Sequence, residues 1–151
     1  MTNKFTMKKK DTNPKDAIGS KKLPLHLVPS QVIGYLCIAL LEGAIKYGAY
    51  NYRVFGVRAS VYKSATQRHI ERWWEGEDID PDSGLNHIDK AIASLFVLRD
   101  GILNDKWTDD RPPKVKNTKW VEDLNKKAED MINNCPNPVK PYTELNKNNK
   151  R

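Results

Sequence analysis

Residues 71–82 read ERWWEGEDIDPD, six acids and a single arginine, in a chain whose formal net charge is +7. Carboxylates this dense repel one another and invite a cation. Glu77 and Asp80 stand three apart between Gly76 and Pro81, a spacing suited to aiming two oxygens at one ion. His69 and His87 flank the stretch. Glu42 lies upstream in an apolar run, where an unpartnered carboxylate is costly. Carboxylates, water and phosphate oxygens are the ligand set of Mg²⁺ or Mn²⁺. Histidine is uncommon around Mg²⁺, so His69 or His87 points to Mn²⁺ or Co²⁺, or to hydrogen-bonding and acid–base work. The plainer alternative is a solvated acidic turn between two helices, with Glu42 paired to Lys46 one turn on and each histidine a satisfied interface residue.

These groups must be held by helices. Apolar residues at 32, 33, 36, 40, 41 and 45 predict a first long helix, opened by Ser30 after Pro29 and stopped by Gly48. Residues 49–59 read as a loop. Ser60 opens a second helix that carries Val61, Ala65, His69 and Trp73 along one face and ends at Gly76. Residues 77–83 read as a turn, and Ser83 as the cap of a third, well-buried helix. Trp120, Leu124, Ala128 and Met131 form one stripe of a fourth, amphipathic helix. No stretch reads as a sustained strand. The expected class is all-α: a helical bundle with an irregular N-terminal segment and a polar C-terminal tail. The expected organisation is a flexible basic segment at 1–13, a catalytic helical domain at 14–104, a linker with an accessory helix at 105–134, and a flexible basic tail at 135–151.

Composition excludes several classes. Apolar stretches are too short and too interrupted to span a bilayer. The N-terminal lysines precede no apolar segment, so a secretion signal is not expected. A cytoplasmic location follows, with Cys37 and Cys135 reduced and Cys37 a small buried hydrophobe. Residues 1–22 carry +5 and residues 135–151 carry +3, which leaves the body nearly neutral. A nucleic-acid-binding protein wants a basic face on folded structure, so nucleic acid is not a required partner, although the ends could attract a polyanion.

Four stretches carry a resemblance. NPKDAIGSKKLPLHLVP (13–29), LEGAIKYGAYNYR (41–53), RASVYKSATQRHIERWWEGEDIDPDSGLNH (58–87) and the alanine-rich helix that follows resemble, in order and spacing, the phage dATP/dGTP diphosphohydrolases. These are MazG-like all-α nucleotide pyrophosphohydrolases, also called MazZ. The resemblance covers residues 13–103. It implies cleavage of a purine dNTP between the α and β phosphates, giving dNMP and pyrophosphate, in the pathway that places 2-aminoadenine in phage DNA within an infected bacterial host. It also implies divalent ions between helix carboxylates and phosphate oxygens, and a homo-oligomer, dimer or tetramer. The wider superfamily pairs E-x-x-E on one helix with E-x-x-D on the next. Here Glu42 has no acidic partner at that spacing, and Glu77–Asp80 supplies E-x-x-D at a helix end.

On these grounds Glu42, His69 and Glu77 are the candidate catalytic groups. Glu42, Glu77, Asp80 and His87 are the candidate ligands of Mg²⁺, Mn²⁺ or Co²⁺. Lys15, Lys22, Lys46, Arg53 and Arg68 are available for phosphates. Asn51 offers a donor and an acceptor to a purine edge, and Tyr47, Tyr50 or Trp74 a ring to stack on the base. Two other readings stand beside this one. An HD-type triphosphohydrolase needs adjacent His and Asp, whereas here they are His87 and Asp89. A basic nucleic-acid-binding phage protein would grip through its ends and show steep salt dependence.

Overall fold

The computed structural model describes residues 13–145. The first twelve residues and the last six, most of the basic N-terminal segment and part of the tail, lie outside the described residues. The described chain runs α1 (Pro14–Gly19), a 3-10 turn (Leu25–Leu27), α2 (Ser30–Tyr47), α3 (Asn51–Phe55), β1 (Val57–Arg58), α4 (Ala59–Trp74), α5 (His87–Leu103), β2 (Trp107–Thr108) and α6 (Trp120–Asn133). The fold is all-α, with one parallel pair of two-residue strands. Among the described residues no helix is long and apolar enough to cross a membrane.

Two compact units divide the chain, one through Arg111 and one from Pro112. The sequence placed the end of the helical domain at 104. In the structure residues 105–111 stay with the helices. Val57 pairs with Trp107, and the Val57 N–H donates to the Lys106 carbonyl at 3.0 Å. Asp110 accepts from the Ser60 N–H at 2.8 Å and also from its hydroxyl. The second unit holds α6, whose apolar residues Trp120, Leu124 and Met131 are all exposed.

In the first unit α4 packs most extensively on α5, and α2 packs on α5 beside it. The core is small-residued: Leu36, Ala39, Val57, Ala59, Ala91 and Val97. Small residues let backbones approach. At Gly101, an added Cβ would stand 2.7 Å from the Val57 Cγ2 and 3.0 Å from the Lys106 carbonyl oxygen. Only glycine lets β1 and the chain after α5 come so close.

Three local expectations change. α2 does begin at Ser30, but its N-cap is Pro29 and no side chain caps it. The 49–59 loop contains α3 and β1. The cap of α5 is Asn86, which accepts from the Ile88 N–H at 2.8 Å, and not Ser83. Ser83 is occupied elsewhere: it belongs to a loop closed by Asp80, whose N–H donates to the Leu85 carbonyl at 2.8 Å. An antiparallel bridge between Ile79 and Asn86 then delivers the chain into α5.

Candidate active site

The start of α5 is the centre of the site. His87, the first residue of α5, is the most deeply buried side chain, with no exposed surface. Its Nε2 lies 2.8 Å from Glu77 Oε1. Its Nδ1 lies 2.8 Å from the Nδ1 of His69, which α4 supplies. Burial, reinforced by Lys90 and His87, lowers the His69 pKa below the ordinary imidazole value. Glu77 is half exposed, with Arg72 at 3.6 Å.

One turn into α5, Lys90 forms a second centre. Its ammonium donates to Asp80 Oδ2 at 2.5 Å and to Ser83 Oγ at 3.1 Å, and it lies 3.3 Å from Glu42 Oε2. Asp80 is buried and also accepts from the Asp82 N–H at 3.1 Å and the Ser83 hydroxyl at 3.0 Å. The Lys90 bond holds its carboxyl well below the usual carboxylate range; burial opposes this, and the Asp82 and Ser83 bonds add to it. Burial pushes the Glu42 pKa up, but the ammoniums of Lys46 (2.5 Å) and Lys90 outweigh it, and the net shift is downward.

Both centres touch one cavity of about 550 Å³ between α2, α3, α4 and α5. His69, Glu42, Lys46 and Lys90 line it, together with Asn51 and four tyrosines at 47, 50, 52 and 62. Tyr50 is held in the left-handed region, with φ 59°. Arg53 lies over its ring, 5.4 Å from the centroid, and chelates Asp100 through Nε and Nη2 at 2.9 and 2.7 Å.

Of the residues named from sequence, the structure brings Glu42, Lys46, Tyr47, Tyr50, Asn51 and His69 to the cavity. His87 and Asp80 stand behind that wall, bonded to His69 and Lys90, which line it; Glu77 is one step further back, bonded to His87. Arg53 is engaged with Asp100. Lys15, Lys22 and Arg68 are exposed and do not line the cavity. Cys37, read as a buried hydrophobe, is exposed and lines the cavity, because the face of α2 that carries it looks onto that space. Trp73 and Trp74 are both exposed, so neither is core. The sequence reading gave no site role to Lys90, Tyr52 or Tyr62. No local signal marks Lys90; its role comes from Glu42 and Asp80, which the fold brings to either side of it.

The expected metal set of Glu42, Glu77, Asp80 and His87 is split in two. Glu42 and Asp80 share an ammonium, while Glu77 and His87 bond to each other. Among the described residues, no three His, Cys, Asp or Glu side chains are arranged to hold a metal ion. A resident divalent ion therefore does not fit these groups as arranged.

A family model described as dATP/dGTP diphosphohydrolase, N-terminal, matches residues 12–111. The chain belongs to this dATP/dGTP diphosphohydrolase family. The match ends at Arg111, where the first compact unit also ends, so the diphosphohydrolase region and the helical unit share that boundary. No curated protein and no solved structure matches the chain.

Proposed function

We propose that this diphosphohydrolase-family chain hydrolyses purine deoxynucleoside triphosphates, dATP or dGTP, to the monophosphate and pyrophosphate. The observation that carries this reading is the sharing of one cavity by His69, two lysines, Asn51 and four tyrosines. The tyrosine rings suit a base, the Asn51 amide suits a purine edge, and the ammoniums of Lys46 and Lys90 suit phosphates. The substrate is the triphosphate with its own divalent counter-ion, Mg²⁺, Mn²⁺ or Co²⁺.

The histidine pair supplies the base. A carboxylate only accepts hydrogen bonds, so His87 donates to Glu77 through Nε2. The Nδ1 of His87 then accepts from His69 Nδ1–H, which leaves the lone pair of His69 on Nε2. Burial keeps His69 neutral near pH 7, as a general base must be. Water gives a proton to His69 Nε2 as its oxygen bonds to the α phosphorus. The bond from that phosphorus to the bridging oxygen breaks, and pyrophosphate leaves. His87 and Glu77 hold the His69 tautomer and act through it.

We also propose a homo-oligomer, dimer or tetramer, working in the cytoplasm of an infected bacterial cell on the nucleotide pool for 2-aminoadenine DNA. Support for assembly is the exposed apolar surface of α2 and α5, including Ile38, Leu41, Leu95 and Phe96.

Product analysis tests the reaction. The full chain is incubated with each dNTP and each of the three metals, and products are separated by ion exchange. Monophosphate and pyrophosphate from dATP or dGTP are the expected result. Deoxynucleoside with triphosphate would overturn it in favour of an HD-type reaction.

A further inference from the structure

The acidic site is already closed by a cation. Glu42 comes from α2, Asp80 from the turn and Lys90 from α5, so three separate segments converge on one ammonium. Lys90 is largely buried, its side chain 16 % exposed, and that of Asp80 is 6 % exposed. Two carboxylates drawn together in such a place are costly unless a positive charge lies between them. Lys46 adds a second ammonium at Glu42 Oε1, which also accepts from Lys90 at 3.5 Å. Two carboxylates and two ammoniums leave the cluster formally neutral.

We propose that Lys90 is the resident cation of this site, filling the position between Glu42 and Asp80 that a divalent ion would take. The consequence for a free metal ion is direct. It would have to displace a buried ammonium held by Asp80, Glu42 and Ser83, and would then share the space with that displaced positive charge. A metal–triphosphate complex keeps net negative charge and meets two lysines in the cavity wall, so it is attracted where the bare ion is repelled. The apo protein therefore excludes free divalent ions, and the metal arrives on the nucleotide. This inference rests on the nucleotide-hydrolase reading for the last step only; the exclusion of free metal is a property of the chain alone.

The test uses Mn²⁺ alone, with no nucleotide, followed by the electron paramagnetic resonance signal of the free aquated ion. Full-length wild-type protein is expected to take up no stoichiometric Mn²⁺. Lys90→Met keeps an unbranched stem and removes the charge, leaving Glu42, Asp80 and Ser83 Oγ facing one another. It is expected to take up one Mn²⁺ per chain, at least about tenfold more tightly than wild type. Lys90→Arg keeps the charge and is expected to exclude the ion as wild type does. Stoichiometric uptake by the wild-type protein overturns the proposal whatever the variants do. So does a folded Lys90→Met protein that gains no site. Neither readout involves turnover, so an inactive enzyme would leave this result standing, and a positive metal result would not establish the reaction.

Discussion

His69 and His87 meet nitrogen to nitrogen: the two Nδ1 atoms lie 2.8 Å apart, with the rings tilted by 39°. Only one of two such atoms can carry the proton between them. The choice is made at the other edge of His87, where Glu77 accepts from Nε2. An exposed-side carboxylate thus sets, through a buried ring, the protonation of a nitrogen on the cavity wall.

Replacing the base should cost turnover and little else. His69→Gln keeps a polar side chain of similar reach but removes the basic nitrogen, and kcat is expected to fall by about 10²–10⁴ with KM nearly unchanged. Glu77→Gln should lower kcat less, because its amide can still accept from His87. Steady-state kinetics with dGTP and dATP measures both. A His69→Gln enzyme with wild-type kcat would remove His69 from the reaction.

The acid limb of the pH profile should follow His69. Its folded pKa is depressed, so the neutral base persists as pH falls through the ordinary imidazole value of about 6.5 and is lost only lower. Burial is the first cause; the charges that face it are Lys90, His87, Asp80 and Arg68, and only Asp80 acts to raise it. A limb at or above the ordinary value in the wild type would contradict the assignment.

Asp80 should make stability pH-dependent. Its folded pKa is depressed, so its contribution is full above the unfolded carboxylate value of about 3.9 and is lost as pH falls towards the folded value. Thermal melts between neutral pH and pH 3 should show this loss in wild type and a flatter profile in Asp80→Asn. At neutral pH the variant should be destabilised on the order of 3 kcal/mol, since it leaves Lys90 without its closest partner.

Gly101→Ala should destabilise by about 1–3 kcal/mol through overpacking, because the new methyl would meet Val57 and the Lys106 carbonyl. Denaturant melts measure this. A paired Val57→Ala substitution should recover part of the loss, since Val57 Cγ2 is the nearest obstruction.

The long helices were legible because burial imposes a period. The apolar spacing from Val32 to Ile45 and the stripe from Trp120 to Met131 both fall inside real helices, α2 and α6. What escaped was set by partners distant in sequence. β1 is two residues long and exists because Trp107 lies beside Val57, and no window around residue 57 contains that fact. The cap of α5 moved from Ser83 to Asn86 because Asp80 gathers Ser83 into its own loop. In the site, acids and histidines announced themselves by type and density. Lys90 did not, since a lysine three residues after a histidine is unremarkable until Glu42 and Asp80 are seen on either side of it.

The pairing of Val57 with Trp107 also has a mechanical meaning. α4 and α5 are joined by chain at one end, through residues 75–86, and stitched at the other by two strands and by Asp110 on Ser60. A helical hairpin fastened at both ends is a closed frame that cannot splay. The spacing of its two histidines is then a rigid dimension of the molecule. α2 packs on this frame along α5, and its Glu42 reaches the stem of Lys90. The α4–α5 frame is thus the fixed wall of the cavity, and α2 lays Glu42 and Lys46 against it.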